Sequence, residues 1–121
     1  MDRILIADPS ESFCAALARR LPGYEIHTCH TGNDAIALLA TFSPDILVIN
    51  LCLPRTDGLQ VLRQLRNRVP TIALTPILTQ AVCDTAAAHG VDLLVAIPCS
   101  PDYLAEEIHR RLNEKAPSLE D

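Results

Sequence analysis

The chain has 121 residues and a formal net charge of −5. That acidic balance opposes unaided binding to nucleic acid or to an anionic membrane surface. Apolar residues make up 49% of the chain and charged residues 21%, the proportions of an ordinary water-soluble domain. No apolar run approaches the ~20 residues of a membrane span. One domain is expected at this length, burying about two-thirds of the surface exposed by the unfolded chain. Aromatic residues are only 3% and Trp is absent, so the core falls to Leu, Ile, Val and Ala. Met1-Asp2-Arg3 runs straight into an apolar stretch without a signal-peptide pattern, and a cytoplasmic chain is expected. The five cysteines, at 14, 29, 52, 83 and 99, form no CxxC pair and match no zinc spacing. Reduced thiols acting as small hydrophobes are expected, and no metal site.

In chain order, Arg3-Ile4-Leu5-Ile6-Ala7 is a compact apolar run ended by Asp8-Pro9-Ser10. Phe13, Leu17 and Leu21 follow at helical spacing, closed by Pro22-Gly23. Tyr24 to Cys29 alternates in polarity and reads as an edge strand. Ala35, Leu38, Leu39 and Phe42 form the next helical stripe, ended by Ser43-Pro44. Ile46-Leu47-Val48-Ile49 is the third strand-like run, and Leu59, Leu62 and Leu65 form a stripe after the Asp57-Gly58 turn. Thr71-Ile72-Ala73-Leu74 is followed by an Ala-rich helix over Ala81 to His89, with Gly90 as its C-cap. Leu93 to Ile97 is the last run. Ser100 then caps a helix opened by Pro101 and continued by Tyr103, Leu104, Ile108 and Leu112. The expected domain is 1–114, and 115–121 reads as a polar tail or the start of a linker.

Unbroken apolar runs alternating with amphipathic helices suit strands covered on both faces, as in a parallel sheet. Five such pairs predict an α/β doubly wound domain with right-handed crossovers. Ligands of such sheets bind beyond the carboxyl ends of the strands, here Asp8-Pro9, Asn50 to Arg55, Thr75-Pro76 and Ile97-Pro98.

Those ends carry a specific resemblance. The stretch from Pro44 through Ile46-Leu47-Val48-Ile49-Asn50, Leu53-Pro54 and Asp57-Gly58-Leu59 resembles the phosphorylated-strand signature of bacterial response-regulator receiver domains. Ile4-Leu5-Ile6-Ala7-Asp8 is similar to that family's first strand, Ala73-Leu74-Thr75 to its fourth, and Gly90-Val91-Asp92 with Leu93 to Pro98 to its fifth. The likeness covers residues 3 to about 113. It implies a flavodoxin-like three-layer sandwich, five parallel strands in order 2-1-3-4-5 and five helices.

The resemblance also implies a chemistry, phosphoryl transfer from a histidine kinase to one strand-end aspartate. The aspartate is the nucleophile, two further acids help hold Mg²⁺, and a lysine and a hydroxyl bind the phosphoryl group. Asp8 matches the first acid, but Pro9 stands at the second. Asn50 occupies the acceptor position, and an amide is a poor nucleophile. Thr75 keeps the switch hydroxyl, Ile97 replaces the lysine, and Leu94 replaces the aromatic that reports phosphorylation. The expectation is therefore an atypical receiver, a degenerate pseudo-receiver that is not phosphorylated, with Mg²⁺ binding weak or absent.

Several of these residues also have structural readings. Asp8 reads as an acid hydrogen-bonded near strand ends, and Thr75 as a hydroxyl satisfying the backbone at its strand end. His27, His30, His89 and His109 read as surface or partly buried side chains. Arg19, Arg20, Arg63, Arg66 and Arg68 read as solvated helix residues rather than a nucleic-acid patch. The expected function is signalling through protein–protein contact, with a homodimer through the fourth helix, fifth strand and fifth helix, roughly residues 79–112. A C-terminal DNA-binding output domain is implied if the natural protein continues. Two alternatives stay open: a redox or small-molecule sensor using Cys52 and Cys99 beside the old site, and a conventional phosphorylated receiver. An enzyme is not expected, since the strand ends carry no Ser/His/Asp set and no phosphate-cradling Gly-rich loop.

Overall fold

Each apolar run becomes a strand. The computed structural model describes residues 1–114, so the expected tail at 115–121 lies outside the described residues. The strands are β1 (Arg3–Ala7), β2 (Glu25–Cys29), β3 (Ile46–Asn50), β4 (Thr71–Thr75) and β5 (Leu93–Ala96). They pair in parallel in the order β2-β1-β3-β4-β5, as expected. The helices are α1 (Glu11–Arg19), α2 (Gly32–Phe42), α3 (Gly58–Arg63), α4 (Gln80–Ala88) and α5 (Pro101–Glu114).

The two-residue period of a strand divides each central run between the faces. Ile4, Ile6, Ile46, Val48, Ile72 and Leu74 pack against Leu17 of α1 and Leu104, Ile108 and Leu112 of α5. Leu5, Ala7, Leu47, Ile49 and Ala73 pack on the other face against Ala35 and Phe42 of α2 and Val61 and Leu62 of α3. Both faces are covered, which is why these runs are continuous rather than alternating. Strand β2 lies at the edge, where His27 and Thr28 are exposed while Cys29 is buried.

Side-chain caps fix where the helices start. Ser10, Thr31, Asp57 and Thr79 each accept from the backbone N–H three residues on. Ser100 Oγ accepts from the Asp102 and Tyr103 amides ahead of α5. Two boundaries differ from expectation. Strand β5 stops at Ala96 rather than Ile97, because Pro98 has no N–H with which to extend the ladder. Helix α3 stops at Arg63, so Leu65 of the predicted stripe lies past the helix end, and the fully buried position is Val61. Among the described residues no helix is long and apolar enough to cross a membrane.

Candidate functional site

Register brings the strand-end residues together. Ala7 of β1 pairs with Ile49 of β3, so the next residues, Asp8 and Asn50, are neighbours. Asn50 pairs with Leu74 and Thr75 with Ala96, which carries the same edge across to Ile97. Asp8, Pro9, Asn50 and Ile97 line a cavity of about 250 Å³, completed by Ser10, Phe13, Pro98 and Cys99. The Ile97–Pro98 peptide bond is cis.

The polar atoms of this cavity are already engaged. Asp8 is only 5% exposed and Asn50 6%. The Asn50 side-chain amide donates to Asp8 Oδ2 at 3.0 Å, while its Oδ1 accepts from the Cys52 N–H at 2.8 Å. Asp8 Oδ1 accepts from the Ser10 N–H at 2.8 Å. The Asp8 backbone is held as well, its N–H donating to the Cys29 carbonyl at 3.0 Å and its carbonyl lying 2.8 Å from His30 Nδ1. Below Asn50 the chain returns closely enough that a Cβ on Gly58 would stand 2.7 Å from the Asn50 carbonyl oxygen and 2.7 Å from Leu51 Cα. Only glycine fits the turn that starts α3.

Two expected participants stand apart. Thr75 lies at the same sheet edge but does not line the cavity, and its Oγ1 is turned to its own loop. It donates to the Ile77 carbonyl at 2.9 Å and accepts from the Ile77 N–H at 3.2 Å. Cys52 does not line the cavity either. Leu51 and Leu53 on each side of it are buried while Cys52 is exposed, and its backbone N–H donates to Asn50 Oδ1 at 2.8 Å. Leu94 is half-buried against the Leu5–Leu47–Val61 cluster.

Burial, then the charge of Asp8, raises the Cys99 thiol pKa. Burial, with smaller contributions from Asp8 and Cys29, pushes Cys14 up to about 12. Both thiols therefore hold their protons at neutral pH, and a thiol is far less nucleophilic than a thiolate. Sequence reasoning missed Phe13, Ser10 and His30 as neighbours of Asp8. Phe13 reads equally well as helix core, and His30 could have been found from its place immediately after β2. Among the described residues no cluster of His, Cys, Asp and Glu is arranged to hold a metal ion.

Comparison with known proteins decides the family. A profile described as the response regulator receiver domain matches residues 4–109. The chain belongs to the response regulator receiver family. This receiver is 38% identical over 78 residues to the response regulator MprA of Mycobacterium tuberculosis, an alignment covering 60% of this chain and 34% of the relative. It thus spans about a third of the length of the curated relatives it matches. A CheY-like receiver domain protein from Methanospirillum hungatei superposes with a TM-score of 0.85 at 24% identity, covering 94% of this chain and 95% of that one. A LuxR-family DNA-binding response regulator from Staphylococcus aureus superposes at 0.79 with 22% identity, covering 91% and 98%. The flavodoxin-like fold and a place in two-component signalling follow, in a family that generally signals rather than catalyses.

Proposed function

We propose that this receiver signals without being phosphorylated. The observation that carries the reading is the doubly bonded Asn50 amide, donating to Asp8 and accepting from the Cys52 N–H. In the acceptor position it offers no carboxylate to attack a phosphoryl donor, and it occupies the oxygen of the one remaining acid that faces it. The residues do not fit a magnesium ion, a cation that takes oxygen ligands and is usually held by carboxylates. Among the described residues, Asp8 is the one carboxylate in the lining of this cavity, Pro9 offers no side-chain ligand, and Asn50 Oδ1 is turned to the backbone. Ile97 lines the wall where a lysine would meet phosphoryl oxygens. Incubation of the chain with acetyl phosphate and Mg²⁺, followed by intact-mass analysis, is expected to give no phosphoryl adduct. A stoichiometric, Mg²⁺-dependent adduct would overturn the reading.

Signalling would then rest on protein contacts. Helix α4 presents exposed Ala81, Ala87 and Ala88, β5 is an edge strand, and Tyr103 on α5 is 42% exposed. This small-residue surface supports a homodimer through α4, β5 and α5. A constitutive dimer by analytical ultracentrifugation at micromolar concentration is expected, and a monomer through the whole range would contradict it. The greater length of MprA and the DNA-binding S. aureus relative support an output domain that binds DNA in the natural protein. The redox alternative is opposed by the raised Cys99 pKa and the separation of Cys52 from the cavity.

A further inference from the structure

A second cavity lies at the opposite end of the sheet. It is a groove of about 580 Å³ between α2 and α3, bordered by Ser43-Pro44 just before β3 and by Arg66 to Val69 just before β4. It shares no residue with the strand-end cavity. Its floor is apolar, built from Ile36, Leu39, Val61, Leu65 and Val69. Small-molecule sites are commonly of ~300–1,000 Å³, mostly apolar, with a few placed polar groups.

The rim of this groove is cationic in an acidic chain. Arg66 and Arg68 line it, Arg63 ends the adjoining helix α3, and no Asp or Glu occurs from Gly58 to Cys83. Arg68 is spent on an ion pair with Asp92 and a bond to the Gly90 carbonyl, and Arg63 donates to His89 Nε2 at 3.1 Å. Arg66 lines the groove and, among the described residues, has no ion pair or hydrogen bond to its guanidinium. Its full charge outweighs the half charge at the C-terminal end of α3. A guanidinium fork matches a carboxylate or sulfonate in geometry as well as charge.

We propose that this groove binds a small amphipathic anion, an apolar body carrying one carboxylate or sulfonate, with Arg66 as the partner of the anionic group. The shared chemistry is tested with 8-anilinonaphthalene-1-sulfonate as probe. Fluorescence titration of the folded chain at neutral pH is expected to give saturable one-site binding. Affinity falls at least ~10-fold in Arg66→Glu, and again in Ala40→Trp, which fills the groove from the α2 wall. Both positions are exposed, so thermal unfolding of the variants stays close to that of the parent. Amide shifts on binding should gather at residues 36–44 and 61–69 and spare Asp8, Ile97 and Cys99. Absence of saturable binding overturns the proposal, as does binding that both variants leave unchanged or shifts centred on the strand-end cavity. Binding of an acidic peptide at this groove with no binding of the probe also overturns it. None of these results depends on whether the receiver is phosphorylated.

Discussion

The two cavities at opposite ends of the sheet differ in what their polar groups already touch. At the carboxyl edge, Asp8 and Asn50 are buried and bonded to one another, to Ser10 and to Cys52, and the rest of the wall is Phe13, Ile97, the two prolines and Cys99. At the amino edge, Ile36, Leu39, Val61, Leu65 and Val69 form an apolar floor, and Arg66 has no partner among the described residues. A satisfied polar network stabilises the structure it belongs to and gains little from a ligand, whereas an unpaired charge over an apolar floor can gain from one. On the proposed reading, the first end is a former reaction site turned into structure, and the second a surface still able to bind.

Mutations at the carboxyl edge should therefore act on stability. The largest effect is expected for Gly58→Ala, whose Cβ would press on the backbone of Asn50 and Leu51 rather than on a flexible side chain. A loss of about 3 kcal/mol by urea unfolding is expected. A parent-like midpoint would mean that the α3 turn is looser than this packing implies. Asp8→Ala comes next. It leaves the buried Asn50 amide and the Ser10 N–H without their acceptor, and a loss of about 2 kcal/mol is expected. The sign is informative, since in a site crowded with like-charged carboxylates removing one acid would relieve repulsion and raise stability. A stabilised Asp8→Ala variant would break the comparison. Thr75→Val is expected to cost least, about 1 kcal/mol, through loss of the two bonds to Ile77.

The fold was legible because its signals are local and repeated. Runs such as Ile46 to Ile49 need cover on both faces, and caps such as Ser100 with Pro101 mark helix starts whatever the tertiary context. The missed boundaries depend on less local facts. Leu65 keeps helical spacing with Leu62, yet α3 has already ended, and Leu65 packs on the core from the following turn. At the site, sequence placed Asp8, Asn50 and Ile97 at one sheet edge, because strand order and parallel register fix which ends are neighbours. Side-chain direction was not legible in the same way. Whether the Thr75 hydroxyl faces the cavity or its own loop, and whether Cys52 faces in or out, depends on backbone turns that residue type leaves free. The Asn50–Asp8 bond joins residues 42 positions apart, and the Arg66 groove needs two loops brought side by side, so neither has a sequence motif.

The central claim is that the strand-end cavity no longer receives a phosphoryl group. Titration of the chain with Mg²⁺ and beryllofluoride, a phosphoryl mimic, followed through backbone amide resonances, tests this most directly. The resonances of Asp8, Asn50, Thr75 and Ile97 are predicted to stay in place at saturating Mg²⁺ and beryllofluoride. A saturable shift at those four positions, dependent on both additives, would contradict the account.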